Sequence, residues 1–137
     1  MKTFFDSSAF AKRYVDEPGS AAVESLCAAA TELALSIVCI PEIISALNRR
    51  TRDRSLSANQ YEAAKENLSA DIRDAAIVNL TPHVITTCTT ILEASPVRAM
   101  DALHIACAVQ WGAELFVSAD KRQVAAAKKA GLRTRLV

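Results

Sequence analysis

The stretch Thr3-Phe4-Phe5-Asp6-Ser7-Ser8-Ala9-Phe10 sets the reading of the whole chain. Residues 3–5 are β-branched or aromatic, the composition of a short strand. Asp6-Ser7-Ser8 then reads as the strand end and the cap of a helix over residues 9–16, closed before Pro18-Gly19. An acid that follows an apolar strand directly lies close to the core. The same unit recurs twice. LALSIVC, residues 33–39, is apolar with few breaks, as a buried parallel strand is. It leads to Pro41, suited to a first helical turn, and then to Glu42. ELFVS, residues 114–118, leads to Asp120.

Between these units the chain reads as helices and short strands. Residues 20–30 are an alanine-rich helix. Ser57 and Gln60 form a capping box for a helix over residues 58–74. Residues 76–80 read as a third strand, and Thr81-Pro82 opens a helix to about residue 94. Pro96 interrupts, and a helix over residues 97–111 ends at Gly112. A helix over residues 121–130 stops at Gly131, and residues 133–137 make a last strand at an edge. Strands alternating with helices imply an α/β fold: one domain over residues 1–137, with a central, mostly parallel sheet of about five strands and helices on both faces. No internal repeat is present.

Composition narrows the function. At 137 residues the chain is one domain of ordinary size, and a 51% apolar fraction supports a real core. Sixteen basic against fifteen acidic residues leave a net charge of +1, so bulk charge does not announce a nucleic-acid binder. The four cysteines form no CxxC pair and read as buried free thiols in a reducing compartment. Asp6 stands where a signal peptide needs apolar residues. The longest uncharged stretch, residues 75–92, holds five threonines and is a poor membrane span. The expectation is a soluble, cytoplasmic protein with no membrane partner.

In parallel α/β sheets, functional groups gather beyond the carboxyl ends of the strands. Asp6, Glu42 and Asp120 each follow a strand, and Asp101 opens the helix of RAMDALHIACA. Taken singly, each acid also fits an ordinary cap or turn. Four acids gathered near a core repel one another, and a hard divalent cation relieves that repulsion. Bound by carboxylates, Mg²⁺ or Mn²⁺ would engage a phosphate oxygen. Ser118, two residues before Asp120, would orient a ligand water if both lay on a strand. His104 is three residues after Asp101, but on so apolar a helix it reads as a satisfied core residue. His83 reads as structural or exposed. Lys12, Arg13, Arg49 and Arg50 are placed to flank the acids, and Arg49 and Arg50 are candidates for contacting substrate phosphates. There is no Gly-rich phosphate loop and no zinc-ligand spacing.

The phrases FFDSSAFAKRYVDEPGS, PEIISALNRR, RAMDALHIACA and LFVSADKR resemble the four acidic motifs of the PIN-domain nucleases, and most of all the VapC-type toxins. The resemblance spans nearly the whole chain. It implies a Mg²⁺- or Mn²⁺-dependent endoribonuclease with Asp6, Glu42, Asp101 and Asp120 as metal ligands and Ser118 as the accompanying hydroxyl. It also implies in-line hydrolysis of an RNA phosphodiester by metal-activated water, leaving a 5′-phosphate and a 3′-hydroxyl. A homodimer and a cognate VapB-type antitoxin that blocks the acidic site are implied as partners. Residues 57–95 carry no motif of the family. Two other readings stand beside this one. One is a catalytically weak RNA-binding module of the same fold. The other is an aspartyl phosphotransfer enzyme using Asp6, although such enzymes commonly carry a second acid two residues on, where this chain has Ser8.

Overall fold

The computed structural model describes all 137 residues. Five strands form one sheet: β1 (Lys2–Phe5), β2 (Glu32–Ser36), β3 (Ala76–Val78), β4 (Leu115–Ser118) and β5 (Thr134–Leu136). Every pairing is parallel, and the order across the sheet is β3-β2-β1-β4-β5. Parallel neighbours need crossovers, and seven α-helices supply them: α1 (Ser7–Phe10), α2 (Ser20–Ala29), α3 (Cys39–Arg52), α4 (Ala58–Asp74), α5 (Pro82–Ala94), α6 (Ala99–Trp111) and α7 (Lys121–Lys129).

The two-residue period of the strands divides the core in two. Phe4, Ala34 and Phe116 point to one face and pack with Val84, Ile91, Ile105 and Ala127 from α5, α6 and α7. Phe5, Leu35 and Val117 point to the other, against Phe10, Val23, Ile43 and Leu68 from α1 to α4. Phe4 and Phe116, paired in register on adjacent strands, stack at 5.9 Å between ring centroids. Each such fully buried side chain contributes about 1.5–3 kcal/mol.

The strand order places the site. The chain builds outward from β1 to β2 and β3, then returns to the other side of β1 for β4 and β5. The carboxyl ends of β1 and β4 therefore flank the point where the winding direction reverses, the usual crevice of an open α/β sheet. Asp6 follows β1 there, held by its backbone N–H to the Val117 carbonyl at 3.0 Å.

Some boundaries differ from the sequence reading. The helix expected over residues 9–16 is one α-turn, α1, followed by a 3-10 turn at Ala11–Arg13. The second strand stops at Ser36 rather than at residue 39, because the chain turns at half-exposed Ile37 and is already helical at Cys39. The third strand stops at Val78, having only β2 to pair with. The Ser57–Gln60 capping box, the Thr81 cap and the left-handed Gly112 end of α6 (φ +79°) are all present. Three of the four cysteines are buried, and all are free. No helix is long and apolar enough to cross a membrane.

Candidate active site

All four acids sit at helix N-termini that face the strand ends. Asp6 caps α1, Glu42 lies in the first turn of α3, Asp101 in the first turn of α6, and Asp120 caps α7. A carboxylate at a helix N-terminus accepts otherwise unpaired N–H groups and meets the positive end of the dipole. That local rule puts the acids here, and the parallel topology brings the helix starts to one edge.

Asp6 is the most enclosed, only 2% exposed. Its Oδ1 accepts from the Ala9 amide at 2.9 Å, and its Oδ2 accepts from Ser118 Oγ at 2.8 Å. Ser8 Oγ lies 2.8 Å from both oxygens and has one proton to give to either. Three donors thus serve a group with about four lone-pair positions, leaving one open. Burial pushes the Asp6 carboxyl above its ordinary range, against the opposing pull of these hydrogen bonds and of His104.

Ser118, fully buried at the end of β4, is the hub on this side. Besides Asp6, its Oγ lies 3.2 Å from Gln123 Oε1 and accepts from the Asp120 amide at 3.0 Å. Asp120 is past the strand, so the two side chains do not share a strand face as the sequence reading supposed. Their link is the Asp120 backbone, while the Asp120 carboxylate accepts from the Arg122 amide at 2.8 Å. Buried Gln123 also donates to the Asp101 carbonyl at 3.2 Å and so joins α7 to α6.

On the other side, Glu42 Oε1 accepts from Ser7 Oγ at 2.7 Å and lies 2.5 Å from His104 Nε2. Burial pushes the Glu42 carboxyl up, but the bonds from His104 and Ser7 outweigh it and hold the group below its ordinary range. His104 is 2% exposed, as a core residue should be, yet it is not fully satisfied: Nδ1 is buried without a partner. With Nδ1 facing no acceptor, Nε2 is the ring nitrogen whose proton is shared with Glu42.

Asp101 and Asp120 line a cavity of about 310 Å³ together with Pro96, Val97, Arg98 and Arg122. Burial raises the Asp101 carboxyl above its ordinary value, and the charges of Asp120 and Glu42 push it further. Neither arginine pairs with an acid within 4.0 Å. Arg49 and Arg50 line a different cavity of about 420 Å³, with Glu17, Ile43, Leu47 and Asp53, and Arg50 is bound to Glu17 at 2.7 Å. Lys12 and Arg13 are likewise engaged away from the acids, with Glu17 and with Glu24 and Asp71.

The donor set suits a hard divalent cation. It is all oxygen, and the mutual repulsion that adds to burial in raising Asp101 is what such an ion offsets. No three His, Cys, Asp or Glu side chains form a ready-made cage. Mg²⁺ does not need one, since it retains several waters and takes few carboxylates directly.

A parallel α/β domain with acids from four helix starts at its switch point is the class that fold and site define. The chain belongs to the PIN-domain family, whose model matches residues 3–129. Among solved structures it is similar to the Mycobacterium tuberculosis toxin VapC20, described as cleaving the sarcin–ricin loop. The two share 20% identity over 90% of this chain and 94% of that one, at a TM-score of 0.69. It is also similar to the DNA-bound VapBC of Salmonella typhimurium, at 14% identity, 98% and 97% coverage and a TM-score of 0.70. A third is FitAcB of Neisseria gonorrhoeae, at 15% identity, 96% and 95% coverage and a TM-score of 0.70. No curated protein matches.

Proposed function

We propose that this chain is a VapC-type toxin: a Mg²⁺- or Mn²⁺-dependent endoribonuclease of the cytoplasm, restrained by a cognate VapB-type antitoxin and acting as a homodimer. The observation that carries the reading is the set of four carboxylates at the carboxyl edge of the sheet, where burial raises Asp101 and the charges of Asp120 and Glu42 push it further. The toxin and antitoxin complexes among the similar structures support the partner assignment.

Asp6, Glu42 and Asp101 are assigned as the main metal ligands, Asp120 as the outer acid and Ser118 as the hydroxyl that fixes Asp6. When bound, the cation supplies Lewis-acid stabilisation of the phosphate and a lowered pKa for the attacking water. The residues around it do the rest. Ser118, Ser8 and the Ala9 amide hold Asp6 in one rotamer, so no reorganisation is needed at reaction. Arg98 and Arg122 share the cavity of Asp101 and Asp120 and are assigned the RNA phosphates beside the scissile bond. Arg49 and Arg50, farther along α3, would meet the RNA backbone at a distance from that bond.

Asp6 is a poor candidate for a covalent nucleophile, because both of its oxygens accept protein hydrogen bonds and the residue is only 2% exposed. The test is incubation of purified protein with cellular RNA, in Mg²⁺ and in excess chelator. Cleavage in Mg²⁺ alone, with 5′-phosphate ends, supports the assignment. Cleavage unaffected by chelator, or a phospho-aspartate at Asp6, refutes it.

A further inference from the structure

Cysteine thiols aside, His104 is the most buried ionisable group that the mechanism above leaves unused, and its surroundings give it a task. It lies on α6 one turn after Asp101 and reaches α3, where its Nε2 is 2.5 Å from Glu42 Oε1 and 3.2 Å from Ser7 Oγ. Ser7 Oγ donates to the same Glu42 oxygen at 2.7 Å. Two donors from two other helices thus converge on Oε1, and Oε2 has no protein donor. Glutamate has three rotatable bonds, and Glu42 is half-exposed, so without these donors its carboxylate would sample several rotamers. His104 itself is only 2% exposed, on a helix whose Ala102, Ile105, Ala106 and Ala108 are fully buried.

We propose that His104 is the positioning residue for Glu42: its Nε2–H fixes one carboxylate oxygen and thereby presents the other to the cation. The inference rests on the metal-site reading above. Because α6 also carries Asp101, the same helix sets the relation between two of the acids. The orphaned Nδ1 is consistent with this division of labour. All of the ring's polar contacts are made through Nε2, to Glu42 and Ser7. Outer groups that orient a ligand typically change metal affinity by about 10–100-fold when removed.

The test uses three variants of the full chain: His104→Gln, which places an amide N–H near the position of Nε2, His104→Asn, whose amide is too short to reach Glu42, and His104→Leu, which fills the space without a donor. Mn²⁺ dissociation constants are measured by calorimetry on the free protein, beside thermal unfolding in chelator. His104→Gln should stay within about threefold of the parent, while His104→Asn and His104→Leu lose tenfold or more. If His104→Leu does not fold, the comparison of Gln with Asn decides. Equal affinity in all folded variants, or Gln no better than Asn, overturns the inference while leaving the metal site standing. A parent protein that binds no Mn²⁺ overturns both.

Discussion

Ser118→Ala is the sharpest test of how the site is built, because its consequences follow from three contacts of one hydroxyl. The hydroxyl is fully buried and donates to the Asp6 carboxylate at 2.8 Å, with Gln123 Oε1 nearby at 3.2 Å. It accepts from the Asp120 amide at 3.0 Å. Removing it takes a charge-assisted bond from Asp6, about 1.5–3 kcal/mol, and strands a half-buried amide, about 1 kcal/mol. The space vacated is smaller than a water, so solvent does not replace the bonds. The expected loss is about 3 kcal/mol. Unfolding entropy near 60 °C is about 2.1 cal/mol/K per residue, or about 0.29 kcal/mol/K for this chain, so Tm should fall by roughly 10 °C. The assay is thermal and urea unfolding followed by circular dichroism, in chelator. Ser69→Ala serves as the control: its hydroxyl bonds only to the Lys65 carbonyl on an exposed turn of α4, and its effect should stay within about 0.5 kcal/mol. A Ser118→Ala shift below about 2 °C would mean that the hydroxyl does not anchor Asp6, and the preorganisation argument would fail.

Two further outcomes follow from the charges. Asp6 and Asp101 are raised in the folded state, chiefly by burial, so above the ordinary aspartate value near 3.8 the folded chain holds more protons than the unfolded one. Stability without metal should therefore decrease as pH rises through their folded values, whereas lowered Glu42 acts in the opposite sense, at pH below about 4.5. Mg²⁺ at ten times its Kd should restore about 1.4 kcal/mol at neutral pH; urea midpoints from pH 4.5 to 8 that are flat in chelator would contradict the burial of these acids. Replacing both Arg98 and Arg122 by Ala should weaken binding of a mixed-sequence single-stranded RNA and lower the slope of log K against log[salt] by about 1.4. An unchanged slope, or a larger effect from Arg49→Ala with Arg50→Ala, would move the phosphate contacts to the other cavity.

The readability of this chain varies with the range of the interaction. Strand-then-acid units such as FFDSSA and LFVSAD are local, and so are the Ser57–Gln60 and Thr81 caps; their signals lie within four residues. The second strand was read three residues too long because Ile37, Val38 and Cys39 are as apolar as the strand itself, and only tertiary packing turns the chain there. Arg50 looks free in sequence, but Glu17, 33 residues away, engages it in the folded chain. His104 is the clearest case of a hidden contact. An apolar helix correctly signals burial, but its partner Glu42 is 62 residues away, and no periodicity reports that distance. Gln123, which ties Ser118 to the Asp101 backbone, carries no sequence signal of its own.

The central claim is that the gathered carboxylates hold a catalytic cation. Its most direct test is RNA cleavage in Mg²⁺ by Asp6→Asn and Asp101→Asn, beside the parent and with circular dichroism on each. Asn caps a helix about as well as Asp, so the Asp6 variant should remain folded. Both variants should lose cleavage while retaining native spectra and cooperative unfolding. Undiminished cleavage by the two folded variants would contradict the account.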